Sequence, residues 1–162
     1  MRSILGAGCH RPAGHIVSLM RAIACAILVA TVVIPSASAT GTETPAEAKR
    51  VVRAWSARLN AYDNAGIARL FSRPATFVQG GVALRLETAA DIALWHRLLP
   101  CAGRIVSITV KGERATAVFV LGNGKNRRCD APGAKAAAVF RIRGGKIRTW
   151  TQVPVPPQGP TA

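Results

Sequence analysis

The chain has 162 residues, and its 22 lysine and arginine side chains against 7 aspartate and glutamate side chains give a formal charge of +15. This length leaves room for one domain. Such a charge favours encounters with polyanions, acidic small molecules or anionic lipid headgroups, although scattered basic residues also keep an exported domain soluble. No run of like charges exceeds three residues, which argues against a basic tail that binds nucleic acid.

The N-terminal segment 1–39 has the organisation of a secretory signal peptide. Residues 22–34 form an apolar run of 13 residues after Arg21, and Ala37-Ser38-Ala39 supplies a cleavage site of small residues. The run is short for a membrane span, so a retained anchor is the less favoured alternative. We therefore expect an exported protein, either periplasmic or secreted.

Two methionines are candidates for the first residue of the protein. Met20 would by itself begin a signal peptide of ordinary length, so the true start is either Met1 or Met20. Cleavage after Ala39 would leave a mature chain with 19 basic and 7 acidic side chains, a formal charge of +12. Residues 40–44 would then form a short linker before the folded domain.

Two helices that meet at a tight corner are predicted after this linker. Five residues recur at spacings of three and four and form one stripe of the first helix: Ala48, Val51, Trp55, Leu59 and Tyr62. Thr44 and Glu47 have the spacing of a capping box, and Pro45 suits the first turn. Asp63 is placed to cap a second short helix. The apolar face of that helix comprises Ile67, Leu70 and Phe71.

Short strands and a third helix follow the corner. Ser72-Arg73-Pro74 is expected to end the second helix, because the residue before a proline avoids helical geometry. Strands are predicted around 76–78 and 82–86. Thr88 and Asp91 predict the cap of a third helix. Ile92, Trp95 and Leu99 share one face of this helix.

The last part of the domain reads as a run of strands. Four segments alternate, or nearly alternate, between apolar and polar residues and are separated by turn residues: 104–110, 114–121, 135–142 and 146–153. The proline-rich tail over 154–162 should be disordered or extended. The element order predicts an α+β fold over 45–153. We expect a curved antiparallel sheet wrapped around about three helices, with a pocket between the two layers.

Two of the four cysteines, Cys101 and Cys129, remain after processing. In an oxidising compartment such a pair is most simply read as a disulfide, with two free thiols as the alternative. A metal site is not expected, because His96 is the one histidine of the mature chain and no close pair of ligands has zinc spacing. No sequence motif indicates a cofactor.

The residues resemble the nuclear transport factor 2-like superfamily, in its SnoaL-like branch, across about 45–153. The resemblance is carried by Val52, Trp55, the corner 59–63, and the segments 67–71, 75–77 and 139–150. The resemblance implies a cone-shaped curved sheet around helices, with a cavity. Members use that cavity for isomerase, cyclase or dehydratase chemistry, or for no catalysis. It also implies a homodimer formed through the open sheet face.

The family's ketosteroid isomerases use a carboxylate base and a tyrosine that donates to the oxyanion. The resemblance aligns Gln79 with the base and Trp55 with the tyrosine. A carboxamide does not accept a proton at neutral pH, so this chemistry is not expected here, although the Trp55 indole N–H could donate to a ligand.

His96 remains the one weak candidate for an acid or base, because its ordinary pKa lies near neutrality. It is placed beside the apolar stripe of the third helix, where a hydrogen-bonded boundary histidine is the alternative interpretation. Six side chains are candidates to line a pocket, with a role in the core as the alternative for the aromatic ones: Trp55, Tyr62, Gln79, Trp95, His96 and Trp150.

These observations leave three hypotheses. The first is a non-catalytic exported domain that binds a small or anionic ligand, or a partner, through its cavity and basic surface. The second is an isomerase, cyclase or dehydratase with His96 as acid or base and Gln79, Trp55 or Tyr62 orienting the substrate. The third is a module that binds a polyanion or another component of the cell envelope.

Overall fold

The structure is a computed structural model that describes residues 43–157. The predicted signal peptide, most of the predicted linker and the end of the predicted tail lie outside the described residues. Within the described residues, no helix is both long enough and apolar enough to cross a membrane.

The first helix, α1, spans Pro45–Asn60 and begins where the sequence predicted. The Oγ1 atom of Thr44 accepts a hydrogen bond from the backbone N–H of Glu47 at 3.2 Å. The Glu47 carboxylate does not complete the predicted capping box and instead accepts a hydrogen bond from Arg50 at 3.4 Å. The buried face of α1 includes Trp55 and Leu59, as the helical stripe indicated.

Tyr62 does not belong to that stripe, because the helix ends before it. The N–H of Tyr62 donates to the carbonyl of Leu59 at 3.2 Å, and the N–H of Asp63 donates to that of Arg58 at 2.9 Å. This is the Schellman pattern of helix termination, which requires a left-handed residue and usually uses glycine. Tyr62 adopts this conformation with φ 61°, at a cost of about 1 kcal/mol.

The second helix, α2, spans Asn64–Ala68, and Asp63 caps it by accepting from the N–H of Gly66 at 2.8 Å. It is shorter than predicted, because strand β1 (Phe71–Gln79) already begins at Phe71. The predicted helix end at Ser72-Arg73-Pro74 therefore lies inside β1. The pairing of this strand skips from Phe71 to Thr76, so the proline, which lacks an N–H, occupies an irregular part of the strand.

The remaining elements follow close to their predicted positions. They are β2 (Val82–Leu86), α3 (Ala89–Leu98), β3 (Ala102–Lys111), β4 (Arg114–Gly122), β5 (Lys135–Arg143) and β6 (Lys146–Val153). The cap of α3 is confirmed: the side chain of Thr88 accepts from the N–H of Asp91 at 3.1 Å, and Asp91 accepts from the N–H of Thr88 at 3.0 Å. Hydrogen bonds from Thr88 also lower the pKa of Asp91.

All six strands form one sheet in the order β2-β1-β6-β5-β4-β3. The predicted α+β class with a curved sheet is confirmed, but the sheet is mixed and not wholly antiparallel, because β1 and β6 pair in parallel. These two strands are far apart in the sequence and are not joined by a hairpin. Turn residues report only on neighbouring strands, so they could not predict this pair.

The helices cover one face of the sheet and bury an aromatic core. The rings of Trp55 and Phe140 lie 5.1 Å apart, and those of Phe71 and Phe77 lie 4.9 Å apart. Register shifts interrupt the pairing of β3 with β4 and of β5 with β6. Such bulges bend a strand and increase its twist, which lets the sheet curve around the helices.

The predicted disulfide between Cys101 and Cys129 is confirmed. The two Cα atoms lie 4.4 Å apart, and 28 positions separate the residues in the sequence. The bond ties the start of β3 to the connection between β4 and β5. By restricting the unfolded chain, a bridge over a loop of this length contributes roughly 3 to 4 kcal/mol to stability in the chain-entropy description.

Candidate functional site

A cavity of about 270 Å³ lies between α1 and the inner face of the sheet. Its walls are mainly apolar. Its lining side chains include Trp55, Gln79, Phe119, Asp130, Trp150 and Gln152. Ala136 and Ala138 of β5 also line it. Because their side chains are small, they leave space that larger residues would fill in a close-packed core.

Helix α1 is held over the cavity by polar contacts with β3. The side-chain amide of Asn60 donates to the carbonyl of Gly103 at 3.0 Å, and its oxygen accepts from the N–H of Gly103 at 3.1 Å. A Cβ atom on Gly103 would lie 2.6 Å from the carbonyl oxygen of Val120. Glycine is therefore required for β3 to lie this close to β4 at the cavity wall.

Strand alternation places two carboxamides at one side of the cavity. Phe77 pairs with Trp150, and Val78 pairs with Thr151, on the parallel strands β1 and β6. Side chains two residues apart on a strand face the same side. Gln79 and Gln152, which follow these pairs, both line the cavity and are solvent-exposed. They can donate and accept hydrogen bonds at its opening.

Trp150 provides a buried donor in the cavity wall. Its side chain is 6% exposed, and its Nε1–H has no hydrogen-bond partner among residues 43–157. A buried donor without a partner costs about 1 to 3 kcal/mol relative to a satisfied one. A ligand that brings an acceptor to this N–H would recover that free energy.

His96 lies outside the cavity, in the aromatic core, and it is fully buried. Its Nδ1–H donates to the carbonyl of Ile92 at 2.8 Å, and its Nε2 accepts from the Nε1–H of Trp55 at 2.9 Å. Both nitrogens are therefore engaged within the protein, and the two contacts define a single neutral tautomer. The ring packs against Phe71, Phe77 and Trp95.

Burial lowers the pKa of His96 from 6.5 to about 4. Loss of hydration is the largest cause, and the nearby positive charge of Arg127 acts in the same direction. The hydrogen bond to Ile92 opposes these two effects. His96 is consequently neutral at physiological pH and has no nitrogen free to exchange a proton with a ligand.

Two further predicted pocket residues, Tyr62 and Trp95, are not among the residues that line the cavity. The ring of Tyr62 lies 4.8 Å from the guanidinium carbon of Arg127. Trp95 packs on Phe77 and Trp150, with ring centroids at 4.5 and 4.9 Å. Of the six predicted pocket residues, the structure brings Trp55, Gln79 and Trp150 together around the cavity.

The sequence prediction missed three polar cavity residues, Ser56, Asp130 and Gln152. Strand alternation from Trp150 could have found Gln152. Asp130 was assigned to a loop, but the disulfide of its neighbour Cys129 brings it to the cavity, with Oδ1 at 3.1 Å from the Sγ of Cys101. The cavity thus has a carboxylate, but it lies on the connection between β4 and β5 and not at Gln79 of β1, the position that the family resemblance aligned with the base.

Asp130 and the two cysteines are also the one group of potential metal ligands within residues 43–157. Zinc and related metals bind the thiolate form of cysteine. The disulfide uses both sulfur atoms, so this group does not fit a metal site in the oxidised protein.

Comparison with known proteins gives matches at the level of structure alone. No protein-family profile matches the chain, and no curated protein sequence matches it. An NTF2-like protein of unknown function from Cytophaga hutchinsonii superimposes with a TM-score of 0.53 at 10% identity, over 65% of this chain and 88% of its own. The chain has the nuclear transport factor 2-like fold.

Two other solved structures agree with this assignment. A candidate polyketide cyclase from Sinorhizobium meliloti has a TM-score of 0.53 at 15% identity, over 64% of this chain and 94% of its own. A protein with a ketosteroid isomerase-like fold from Catenulispora acidiphila, solved with trimethylamine, has a TM-score of 0.53 at 20% identity, over 65% and 85%. Identities this low establish a shared fold and not a shared activity.

The buried position of His96 predicts a pH dependence of stability. Its pKa is about 4 in the folded protein and near 6.5 when unfolded, so the unfolded state binds more protons between these values. Stability should be fully present above pH 6.5 and should fall by about 3 kcal/mol on going to pH 4. Urea unfolding at a series of pH values measures this effect.

His96→Gln is the matched control, and it should lose this part of the pH dependence while keeping the contribution of the carboxylates. NMR of the mature domain, in which His96 is the one histidine, gives a second test because the ring signals should titrate near pH 4. Titration near pH 6.5 would contradict the prediction.

Proposed function

We propose that this protein binds a small, mainly apolar molecule with a hydrogen-bond acceptor in its cavity, and that it does so without catalysis. The observation that carries the proposal is the buried, unpartnered Nε1–H of Trp150 in an otherwise largely apolar wall. Ligand pockets commonly combine apolar surface with a few placed polar groups in this way.

The size and composition of the cavity define the ligand class. A volume of about 270 Å³ lies just below the usual range for drug-sized ligands, which favours a compact molecule. Phe119 and the alanines of β5 offer apolar contact, and Gln79 and Gln152 offer hydrogen bonds at the opening. A compact ring system with one carbonyl or ether oxygen satisfies all of these features.

The charge at the cavity favours a neutral or cationic ligand over an anionic one. The carboxylate of Asp130 is exposed and lines the cavity, so it would repel an acid placed there. The Catenulispora protein was solved with trimethylamine, a small cation-forming amine. By analogy, a small amine is a second type of ligand that this cavity could hold.

Three features support a non-catalytic role. The family resemblance aligns Gln79 with the ketosteroid isomerase base, and a carboxamide does not accept protons at neutral pH. His96 uses both of its ring nitrogens inside the core. Asp130 is exposed to water, whereas enzymes commonly bury a carboxyl group to bring its pKa towards neutrality for proton transfer.

We also propose that the domain functions outside the cytoplasm. The apolar run over 22–34 with its small-residue cleavage site supports export. The disulfide supports the same compartment, because cytosolic thiols are kept reduced.

Replacing Trp150 with phenylalanine tests the binding proposal. Trp150→Phe keeps an aromatic ring in the wall but removes the N–H, so we expect about tenfold weaker binding of a compact ketone such as trans-1-decalone. NMR titration of the mature domain measures the affinity. Trp95→Phe is the matched control, since Trp95 contacts Trp150 at 4.9 Å but does not line the cavity. Equal affinities of wild type and Trp150→Phe would refute the role of this donor.

Proton exchange tests the absence of catalysis. With trans-1-decalone in D₂O, the protons next to the carbonyl should exchange at the same rate with and without the protein. Acceleration that is lost in Asp130→Asn would identify an enzyme that uses Asp130 as its base. Acceleration that is lost instead in His96→Gln would favour an isomerase, cyclase or dehydratase that uses His96 as its acid or base.

The N-terminus of the protein purified from its native compartment tests the export proposal. We expect a mature chain that begins at Thr40 and carries the Cys101–Cys129 disulfide. Mass spectrometry of the intact protein, before and after reduction, measures both features. An uncleaved chain, or a mature chain in which Cys101 and Cys129 are free thiols, would contradict the proposal.

A further inference from the structure

The outer face of the sheet, opposite the cavity, carries a groove that the proposed function does not use. Two adjoining depressions of about 260 and 310 Å³ share Arg141 and Thr149. We call the combined feature the arginine groove. Its lining side chains are Glu113, Arg114, Val139, Arg141, Arg143, Arg148, Thr149, Thr151 and Val153.

The arginine groove has a large excess of positive charge. Four arginines line it, and Glu113 is its one carboxylate, at 3.3 Å from Arg141 and 3.9 Å from Arg143. Within residues 43–157, Arg114 and Arg148 form no ion pair. Two guanidinium groups are thus available to bind oxygen anions in a bidentate manner.

Strand register brings like charges together across the sheet. Lys111 pairs with Arg114, Arg114 with Arg141, and Arg141 with Thr149 on four successive strands. Like charges directly opposite each other destabilise a sheet. An anion that bridges them would remove this cost, and the hydroxyl of Thr149 adds a neutral donor beside them.

A β-bulge adds one more cation to the same face. Arg141 pairs with Thr149 and Ile142 pairs with Ile147, which leaves Arg148 as the extra residue. In a regular strand Arg148 and Thr149 would face opposite sides of the sheet, yet both line the same depression. Bulges re-aim side chains in this way and are frequent near functional sites.

We propose that the arginine groove binds a linear phosphate polymer that carries no nucleobases. Neighbouring strands are about 4.8 Å apart, so the cations of adjacent strands are close enough to contact several anionic groups of one extended chain. Arginine forks suit phosphate oxygens. This surface is independent of the cavity, and its occupant does not depend on the ligand proposed above.

Other occupants fit the arginine groove less well. Single-stranded nucleic acid is usually held by stacking its bases on aromatic rings, and no aromatic residue lines the groove. Among residues 43–157, the exposed large apolar side chains lie in β2, β3 and α3 and not around the groove, which therefore offers a lipid surface no such anchor: Val82, Leu84, Leu94, Leu98 and Val106. A second copy docked face to face would place arginine against arginine.

The test measures binding of inorganic polyphosphate to the mature domain at several salt concentrations. Arg114→Gln with Arg148→Gln removes two charges that form no ion pair in the fold. We expect at least a tenfold loss of affinity at low salt, and a salt dependence of log K that is shallower by about one to two. The matched control is Arg53→Gln with Arg97→Gln, which removes the same charge from exposed positions outside the groove and should bind like wild type.

Several outcomes would overturn the proposal. Equal losses in the two double variants would mean that net charge alone attracts the polymer. Tighter binding of a single-stranded oligothymidylate, or of phosphatidylglycerol vesicles, would assign the surface to nucleic acid or to a membrane. A dimer in sedimentation that the groove variant dissociates would assign it to self-association. A urea unfolding midpoint equal to that of wild type would show that the groove variant is folded, so that its loss of binding reports on the removed charges.

Discussion

The packing of the helices in this structure depends on the hydrogen bond from Trp55 to His96. It joins α1 to α3 inside the core, between residues 41 positions apart. Because a buried polar atom is costly without a partner, the bond restricts how the two helices can pack. The contact from His96 to Ile92 then determines the tautomer, so that one nitrogen is left to accept from Trp55. The helical layer that covers the sheet is thereby fixed.

This bond also determines which polar groups are left for the cavity. Trp55 lines the cavity, but its N–H is directed to His96, so the donor that the resemblance suggested is already used. Among the described side chains that line the cavity, Trp150 has the buried donor without a partner, and the exposed side chains of Gln79, Gln152 and Asp130 add polar groups to the lining. The chemistry of the cavity is therefore recognition of an acceptor in an apolar space.

The two faces of the curved sheet differ in charge. The inner face is apolar and has a carboxylate at the cavity, whereas the outer face concentrates arginines on β4, β5 and β6. Strand alternation produces this division, because successive side chains point to opposite faces. The outer face of the sheet is thus more positively charged than the inner face, and the bulge at Arg148 adds one more arginine to the outer face.

The sequence by itself determined the features that depend on neighbours along the chain. These include the caps at Thr44, Asp63 and Thr88, the four closing strands to within two residues, and the pairing of the cysteines once two remained. Capping and alternation act over a few residues, so their patterns are visible without coordinates. The family resemblance agreed with the curved sheet and the pocket that the element order already predicted.

Only the tertiary structure decided the features that depend on distant residues. The parallel pairing of β1 with β6, the burial of His96 and the approach of Asp130 to the cavity all join segments that are remote in sequence. A helical wheel placed His96 beside an apolar stripe, but it could not show that Trp55 would meet its second nitrogen. Burial and partners in space determine whether a histidine is a base or a part of the core.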